Sequence, residues 1–182
     1  GGRVGKCSHG ANLLLNSNTK DVFKIANELD QYNKERQLLE KDLLEKILKE
    51  GDANIKEPVL ILEGKNWHEG VIGIVAARLK DKFNKPTIII SINNNIGKAS
   101  ARSIVGFDIG SAIIAATQEK ILIKGGGHKM AGGFSIDMSN IKKFKEFIYN
   151  KFRGINLNLL AEKPLFLDSK IAPSAVNLEF FN

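Results

Sequence analysis

The sequence has a single cysteine and no long apolar segment. Cys7 is the only cysteine among 182 residues, which excludes an internal disulfide, a Cys-x-x-Cys redox pair and a cysteine-based zinc cluster. The longest apolar runs, such as "TIIISI" at 87–92, are far shorter than the roughly 20 residues of a membrane span, and no signal-like leader opens the chain. We therefore expect a cytoplasmic protein with no membrane partner.

Methionine is absent from the first position, and the chain stops at "NLEFFN" without a polar tail. These two features lead us to expect a segment of a longer protein.

Acidic residues are scarce in the central part of the chain. Residues 56–154 contain 16 Lys and Arg against 8 Asp and Glu, or +8, whereas residues 18–55 contain 7 against 9, or −2. A localised positive field favours a polyanionic partner. The alternative is a lysine-rich surface without a specific partner.

Glycine and proline are both absent from residues 19–50, where apolar residues recur at three- and four-residue steps from Val22 to Ile47. This period predicts one long amphipathic helix, capped by Asn18 or Thr19 and ended by Gly51. Its other face alternates in charge, as expected of a connector between two bodies. A coiled-coil interaction domain is an alternative, although Arg36 interrupts the heptad-like pattern at a core position.

Residues 56–154 alternate between strand and helix patterns. "VLILEG", a helix ending near Phe83 and "KPTIIIS" form a crossover unit of a parallel sheet. "GKASARSI" and "GGFSID" predict a third and a fourth strand, and two further helices are expected, capped by Asp108 and Ser139. We expect an α/β domain with a mixed, largely parallel sheet flanked by helices and preceded by the long helix.

Five glycines surround one histidine in "KGGGHKMAGGFSID" at 124–137. Glycine tolerates positive φ and has no side chain, so such a cluster forms an anion-binding nest of backbone N–H groups. His128 can donate a hydrogen bond to phosphate, and Lys124 and Lys129 supply charge. The alternative is a glycine-rich loop that only allows tight packing between a helix and a strand.

Two further groups of residues are candidate contacts for a negative ligand. In "NWHEGVIGIVAARL", Gly70 and Gly73 lie in the first helical turns, and Trp67 and His68 precede them; a helix N-terminus favours an anion and an aromatic ring can stack on a base. The alternative for Trp67 is core packing.

In "KASARSI", strand alternation directs Ser100 and Arg102 to one face and Ala101 and Ser103 to the other, so that a guanidinium and a hydroxyl reach the same phosphate. A surface ion pair is the alternative role for the arginine. The three histidines lie far apart without metal-ligand spacing, and no nucleophile–base pair is evident around Cys7. We expect the chain to bind rather than to cleave.

These segments carry a family resemblance. "GGGHKMAGG" resembles the signature of the DHH-associated domain, and "NWHEGVIGIVAARLKDKFNKPTIIIS" followed by "ASARSI" narrows the resemblance to the RecJ family of single-strand-specific exonucleases. The resemblance divides the chain into a C-terminal remnant of an Asp-His-His phosphoesterase domain (1–17), an interdomain linker helix (18–55), the associated nucleic-acid-binding domain (56–154) and the truncated start of an OB-fold region (155–182).

The resemblance implies a 5′-to-3′ exonuclease of single-stranded DNA that acts in recombination and repair. Its Mn²⁺ or Mg²⁺ would be held by the Asp-His-His domain, which is missing here, so this chain would carry no cofactor and would be inactive alone. Its partners would be single-stranded DNA and that missing domain of the same polypeptide. The residues implied to face the DNA are Arg3, Trp67, His68, Gly70, Ser100, Arg102, Ser103, Gly125, Gly126, Gly127, His128, Lys129, Gly132 and Gly133.

The sequence departs from this family at Ala101, where many relatives have a glycine before the arginine. Two other families share the glycine–histidine segment and remain alternatives: the C-terminal domain of alanyl-tRNA synthetases, and enzymes that hydrolyse oligoribonucleotides or cyclic dinucleotides.

Overall fold

A computed structural model describes residues 2–5, 8–50, 56–154 and 169–172 of the chain. Two helices precede the domain, α1 (His9–Leu15) and α2 (Thr19–Glu50). The backbone N–H of Lys20 donates to the side-chain oxygen of Asn18 at 3.0 Å, so the predicted helix and its cap at Asn18 are confirmed. Gly51 and most of the predicted OB-fold start lie outside the described residues.

The domain that follows consists of five strands and three helices, with a 3₁₀ turn before the last helix. In chain order they are β1 (Leu60–Lys65), α3 (Glu69–Phe83), β2 (Thr87–Asn93), β3 (Ile96–Arg102), α4 (Ile109–Gln118), β4 (Lys124–His128), β5 (Ala131–Asp137) and α5 (Ile141–Arg153). The strands form one sheet in the order β1-β2-β3-β5-β4. The predicted α/β class, the mixed sheet and the preceding long helix are confirmed.

Parallel pairing is restricted to β1 and β2, which α3 connects. The pairs β2–β3, β3–β5 and β5–β4 are antiparallel. The prediction of a largely parallel sheet was therefore wrong. Short connections account for two of the antiparallel pairs, β2–β3 and β4–β5. Asn94 and Asn95 have φ of 49° and 64°, which suits a type I′ hairpin turn between β2 and β3.

Two other details differ from the prediction. Residues Lys124–His128 form a strand, although three glycines in a row are unfavourable in strands and gave no strand pattern. Ser139 does not cap α5; it lies in the 3₁₀ turn, where its N–H donates to the carboxylate of Asp137 at 2.9 Å. Asp108 caps α4 as predicted, by accepting from the N–H of Ser111 at 2.9 Å.

Helices cover the two faces of the sheet unequally. On one face, α4 and α5 enclose a core that includes Ile113, Phe134 and Phe144. On the other face, α3 packs against β2 and β3, and buried Leu43 and Ile47 in the last part of α2 pack with α3. This second layer covers β2 and β3 and leaves β5 and the edge strand β4 open on its side.

The C-terminal part of α2 thus packs against α3 of the same chain rather than forming a coiled coil. None of the described helices combines the length and the apolar composition of a membrane span.

Candidate nucleic-acid interface

The open face of the sheet carries three rows of aligned residues on β3, β5 and β4. Residues paired across neighbouring strands share a face. The register gives the rows Lys98–Ser135–Lys124, Ser100–Gly133–Gly126 and Arg102–Ala131–His128. Cationic and hydroxyl side chains therefore flank a middle row that is almost free of side chains.

A cavity of about 580 Å³ lies over the first two of these rows, next to the row of Arg102, and we call it the sheet groove. Its wall on the α3 side includes Glu69 and Ile72, and its floor includes Lys98, Ser100, Gly126 and Gly133. The groove exists because α3 stops short of β5 and β4. An extended chain lying here would meet backbone rather than bulky side chains.

Arg102 lies beside the groove and is held by two hydrogen bonds. Its Nη1 donates to the backbone oxygen of Ala101 at 2.7 Å and to Oγ of Ser100 at 3.2 Å. Among the described residues, no carboxylate lies within ion-pair distance of this guanidinium. Burial, and then the charge of Arg3, lower the pKa of Arg102, which means that its positive charge is costly without an anion.

The N-terminal segment brings Arg3 to this place. Its carbonyl oxygen passes so close to Gly70 that a side-chain carbon there would be 2.1 Å from it. One turn later, a carbon on Gly73 would be 2.9 Å from Oγ of Ser100 and 3.1 Å from Nη2 of Arg102. Glycines in the first turns of α3 thus allow two arginines and a serine to converge near its N-terminus.

The glycines of the hairpin do not form the predicted nest. All five lie in β4 or β5, and none has positive φ; among the described glycines, positive φ occurs at Gly106. A side chain on Gly125 or Gly132 would meet Ile113 of α4, and one on Gly127 would meet the backbone of β5. These three therefore serve packing, as the alternative interpretation held.

Gly126 and Gly133 differ from the other three glycines because they face the groove. A side-chain carbon on Gly126 would meet nothing within 4 Å, and one on Gly133 would meet only the oxygen of Ala99 at 3.4 Å. The fold tolerates a side chain at both positions. Because neither glycine has a side chain, a ligand can approach the backbone of the sheet at these two positions.

The two histidines of the predicted site are exposed and similarly oriented by their own backbones. His68 precedes α3, and its Nδ1 accepts from the N–H of Gly70 at 3.1 Å. His128 ends β4, and its Nδ1 accepts weakly from the N–H of Met130 at 3.4 Å. With Nδ1 as acceptor, Nε2 of each neutral ring carries the hydrogen and can donate to a phosphate.

The amide of Gly70 is already paired in this arrangement, so the predicted contact of that amide with an anion was wrong. Lys129 lies in the exposed turn between β4 and β5, near the cap of α4.

Two predicted contact residues do not line the groove. Ser103 is 1% exposed, and its hydroxyl donates to the oxygen of Phe107 at 2.7 Å; strand alternation had placed it opposite Arg102. Trp67 packs over Gly64 and against the α2–α3 cluster. This half-buried ring takes part in packing, as the core interpretation held, and its stacking on a base stays a prediction.

Comparison with known proteins assigns the family. Residues 56–154, more than half of the chain, match the DHHA1 domain. The chain belongs to the DHHA1 domain family. The DHHA1 domain here comprises the whole sheet and α3 to α5, and it contains the sheet groove.

The relatives and solved structures extend the similarity beyond the DHHA1 domain. The chain is 28% identical over 97% of its length to the single-stranded-DNA-specific exonuclease RecJ of Bacillus subtilis, and 35% identical over 82% to that of Haemophilus influenzae. It covers 22% and 27% of those two proteins. A crystal structure of RecJ from Thermus thermophilus with Mn²⁺ matches 84% of the chain with a TM-score of 0.74 at 29% identity, and the chain covers 22% of it.

The predicted resemblance to RecJ exonucleases is thereby confirmed, and the chain spans about a quarter of the length of these relatives.

The structures of RecJ were solved with Mg²⁺ or Mn²⁺. In the part of this chain that the structure describes, no group of three or more His, Cys, Asp or Glu side chains is placed to hold a metal ion. The described residues of the DHHA1 domain and its preceding helices do not fit such a metal, so no chemical step of this chain is assigned to one.

Sequence reasoning missed three polar residues of the groove, Lys98, Ser135 and Glu69. Strand alternation already placed Lys98 on the face of Arg102, so that signal was available. Ser135 and Glu69 needed the three-dimensional arrangement, because their positions depend on the register of β5 and on where α3 begins.

Proposed function

We propose that this chain is the part of a RecJ-type exonuclease that binds single-stranded DNA by its phosphate backbone. The proposal rests on the surroundings of Arg102. Its guanidinium is partly buried and has no carboxylate partner in the described chain. It lies beside a groove whose floor includes Gly126 and Gly133. The similarity to RecJ over most of the chain supports the substrate class.

The arrangement would act on the strand as follows. Arg102 and Ser100 bind one phosphate, with Arg3 adding charge from the N-terminal segment. The row of Lys98 and Lys124 supplies further charge across the groove, and His128 and His68 offer N–H donors at its ends. None of these contacts reads a base, so binding is independent of sequence and falls with salt as counterions are released.

Cleavage belongs, in this proposal, to the missing Asp-His-His domain with its Mn²⁺ or Mg²⁺. The chain alone then binds without hydrolysing DNA, in the cytoplasm. Residues 1–17 would end that catalytic domain, 18–55 would link it to the DHHA1 domain, and 155–182 would begin an OB-fold region.

Fluorescence anisotropy with a labelled oligo(dT), at two salt concentrations, tests the proposal on the 182-residue chain. We expect Arg102→Ala to weaken binding about tenfold, since a charge-assisted hydrogen bond to phosphate is lost. Arg153→Ala is the matched control, because that exposed arginine lies on α5 across the sheet.

Equal affinity for single and double strands, or equal effects of the two variants, would reject the proposal. Unlabelled tRNA serves as the competitor: if it displaced oligo(dT) at lower concentrations than oligo(dT) itself, the function would resemble that of the alanyl-tRNA synthetase domain.

A further inference from the structure

An acidic side chain lies inside the sheet groove. Glu69, in the first turn of α3, is the only carboxylate among the described residues that line it. Its Oε2 lies 2.8 Å from Nζ of Lys98 on β3. A negative charge in a groove that is otherwise cationic repels phosphate, so its presence requires an explanation.

Lys98 belongs to the same line of side chains as the phosphate-binding residues. It lies on the face of β3 that carries Ser100 and Arg102. Side chains two residues apart on a strand are about 7 Å apart, so Lys98 and Arg102 are separated by about 14 Å along the groove. A DNA strand that is held at Arg102 therefore reaches Lys98 with a phosphate further along its backbone.

The ion pair between Glu69 and Lys98 is open to exchange. The two side chains are 42% and 57% exposed, and an exposed ion pair contributes little to stability. A phosphate can replace the carboxylate on Lys98 without disturbing the core. Contact with Lys98 is then conditional, whereas contact with Arg102 meets no competing carboxylate in the described residues.

A purely structural role for Glu69 predicts something different. An acidic residue in the first turn of a helix is stabilised by the helix dipole. If that were its only role, neutralising Glu69 would slightly lower the stability of the protein and leave DNA binding unchanged.

We propose that Glu69 competes with the bound strand for Lys98, and so limits how tightly that end of the groove holds DNA. This inference rests on the proposed function. Its consequence is an uneven groove, with firm binding at Arg102 and weak, exchangeable binding at Lys98. Because binding is weaker at Lys98, the DNA strand can move past that end of the groove while it stays bound at Arg102.

A double-mutant cycle on the 182-residue chain tests this, with oligo(dT) anisotropy as a function of salt. We expect Glu69→Gln to tighten binding roughly 3- to 10-fold at low salt and to steepen the slope of log K against log salt by about 0.7, the value for one more neutralised phosphate on a single strand. In the Lys98→Ala background the same substitution is expected to change affinity less than about 2-fold. Glu146→Gln, at an exposed position of α5, is the charge-matched control.

Three outcomes would overturn the inference. An unchanged affinity in Glu69→Gln, with Arg102→Ala still defective, rejects it while leaving the proposed function intact. An equal gain with and without Lys98 means that Glu69 only repels phosphate directly. A wild-type chain that binds no oligo(dT) overturns both the inference and the proposed function.

Discussion

At the residue scale, the glycines of the β4–β5 hairpin have two distinct roles. Gly125, Gly127 and Gly132 make room for α4 or for the neighbouring strand, whereas Gly126 and Gly133 face the open groove. The sequence shows five equivalent glycines, because the face to which each would direct a side chain depends on the register of the hairpin. Alternation along β3, which the sequence does show, explains why Ser100 contacts Arg102 while Ser103 is buried.

Substitution by alanine separates these two roles. In Gly126→Ala the added carbon meets no neighbour, so we expect the free energy of unfolding to stay within about 0.5 kcal/mol of wild type, while affinity for oligo(dT) falls because the groove floor is raised. In Gly127→Ala the added carbon lies 2.4 Å from the oxygen of Ala131, and we expect a loss of about 1–3 kcal/mol.

Urea denaturation and anisotropy on both variants provide the measurements. A Gly126→Ala protein of normal stability and normal affinity would show that the ligand does not approach this part of the sheet.

At the element scale, α2 is joined to α3 by an ion pair of a buried carboxylate. Glu40 of α2 is 2% exposed. One of its oxygens accepts from Arg36, one turn earlier, at 2.7 Å, and the other forms an ion pair with Arg78 of α3. Arg36, which interrupts the heptad-like pattern in the sequence, thus has a partner inside the chain. This ion pair and the apolar cluster around Leu43 join α2 to α3, which forms one wall of the groove.

We expect Glu40→Ala to destabilise the protein by about 3 kcal/mol. This is the lower end of the range for breaking a buried ion pair, because Arg78 remains 61% exposed and can be solvated. Glu45→Ala is the matched control, since Glu45 pairs with Lys41 on the exposed side of the same helix, and its loss is expected to cost less than about 1 kcal/mol. Equal midpoints of urea unfolding for the two variants would contradict the conclusion that Glu40 stabilises the contact between α2 and α3.

The cap of α4 predicts a pH dependence. The N–H of Ser111 donates to Asp108 and lowers the pKa of that carboxyl below its ordinary 3.8. A carboxyl with a lowered pKa in the folded state stabilises the protein above its unfolded pKa, and that contribution is lost as pH falls through the folded value. We expect the stability difference between wild type and Asp108→Asn to be constant from pH 5 to 7 and to shrink below about pH 4. Thermal unfolding across this range measures it, and a difference independent of pH would contradict the assignment.

The strong periodicity of apolar residues made most helices and strands predictable from the sequence. Where that periodicity is absent, as in β4, the prediction failed. The long helix, the β1–α3–β2 unit and the cap at Asp108 follow from apolar spacing and from capping chemistry. β4 was missed because Lys124–His128 contains three glycines and no branched or aromatic residue. The direction of strand pairing was misjudged because only β1 and β2 are both paired and connected by a helix. The pairs β2–β3 and β4–β5 are joined by tight turns, and α4 leads from β3 to β4, with which β3 does not pair.

At the scale of the whole molecule, a half-covered sheet and an uneven charge distribution coincide. The +8 excess of residues 56–154 lies in the domain whose sheet is open over β5 and β4. We expect the affinity for single strands to fall steeply between 50 and 200 mM salt. A binding constant that did not change over this range would show that phosphate contacts contribute little.

The location of the DNA on the sheet is the central claim, and amide chemical shifts in NMR test it most directly. On titration with oligo(dT), we expect the largest shifts at Ser100, Arg102, Gly126 and Gly133, with α5 unaffected. Saturating shifts confined to α5 or to the exposed turns of α4, with those four amides unmoved, would contradict the account.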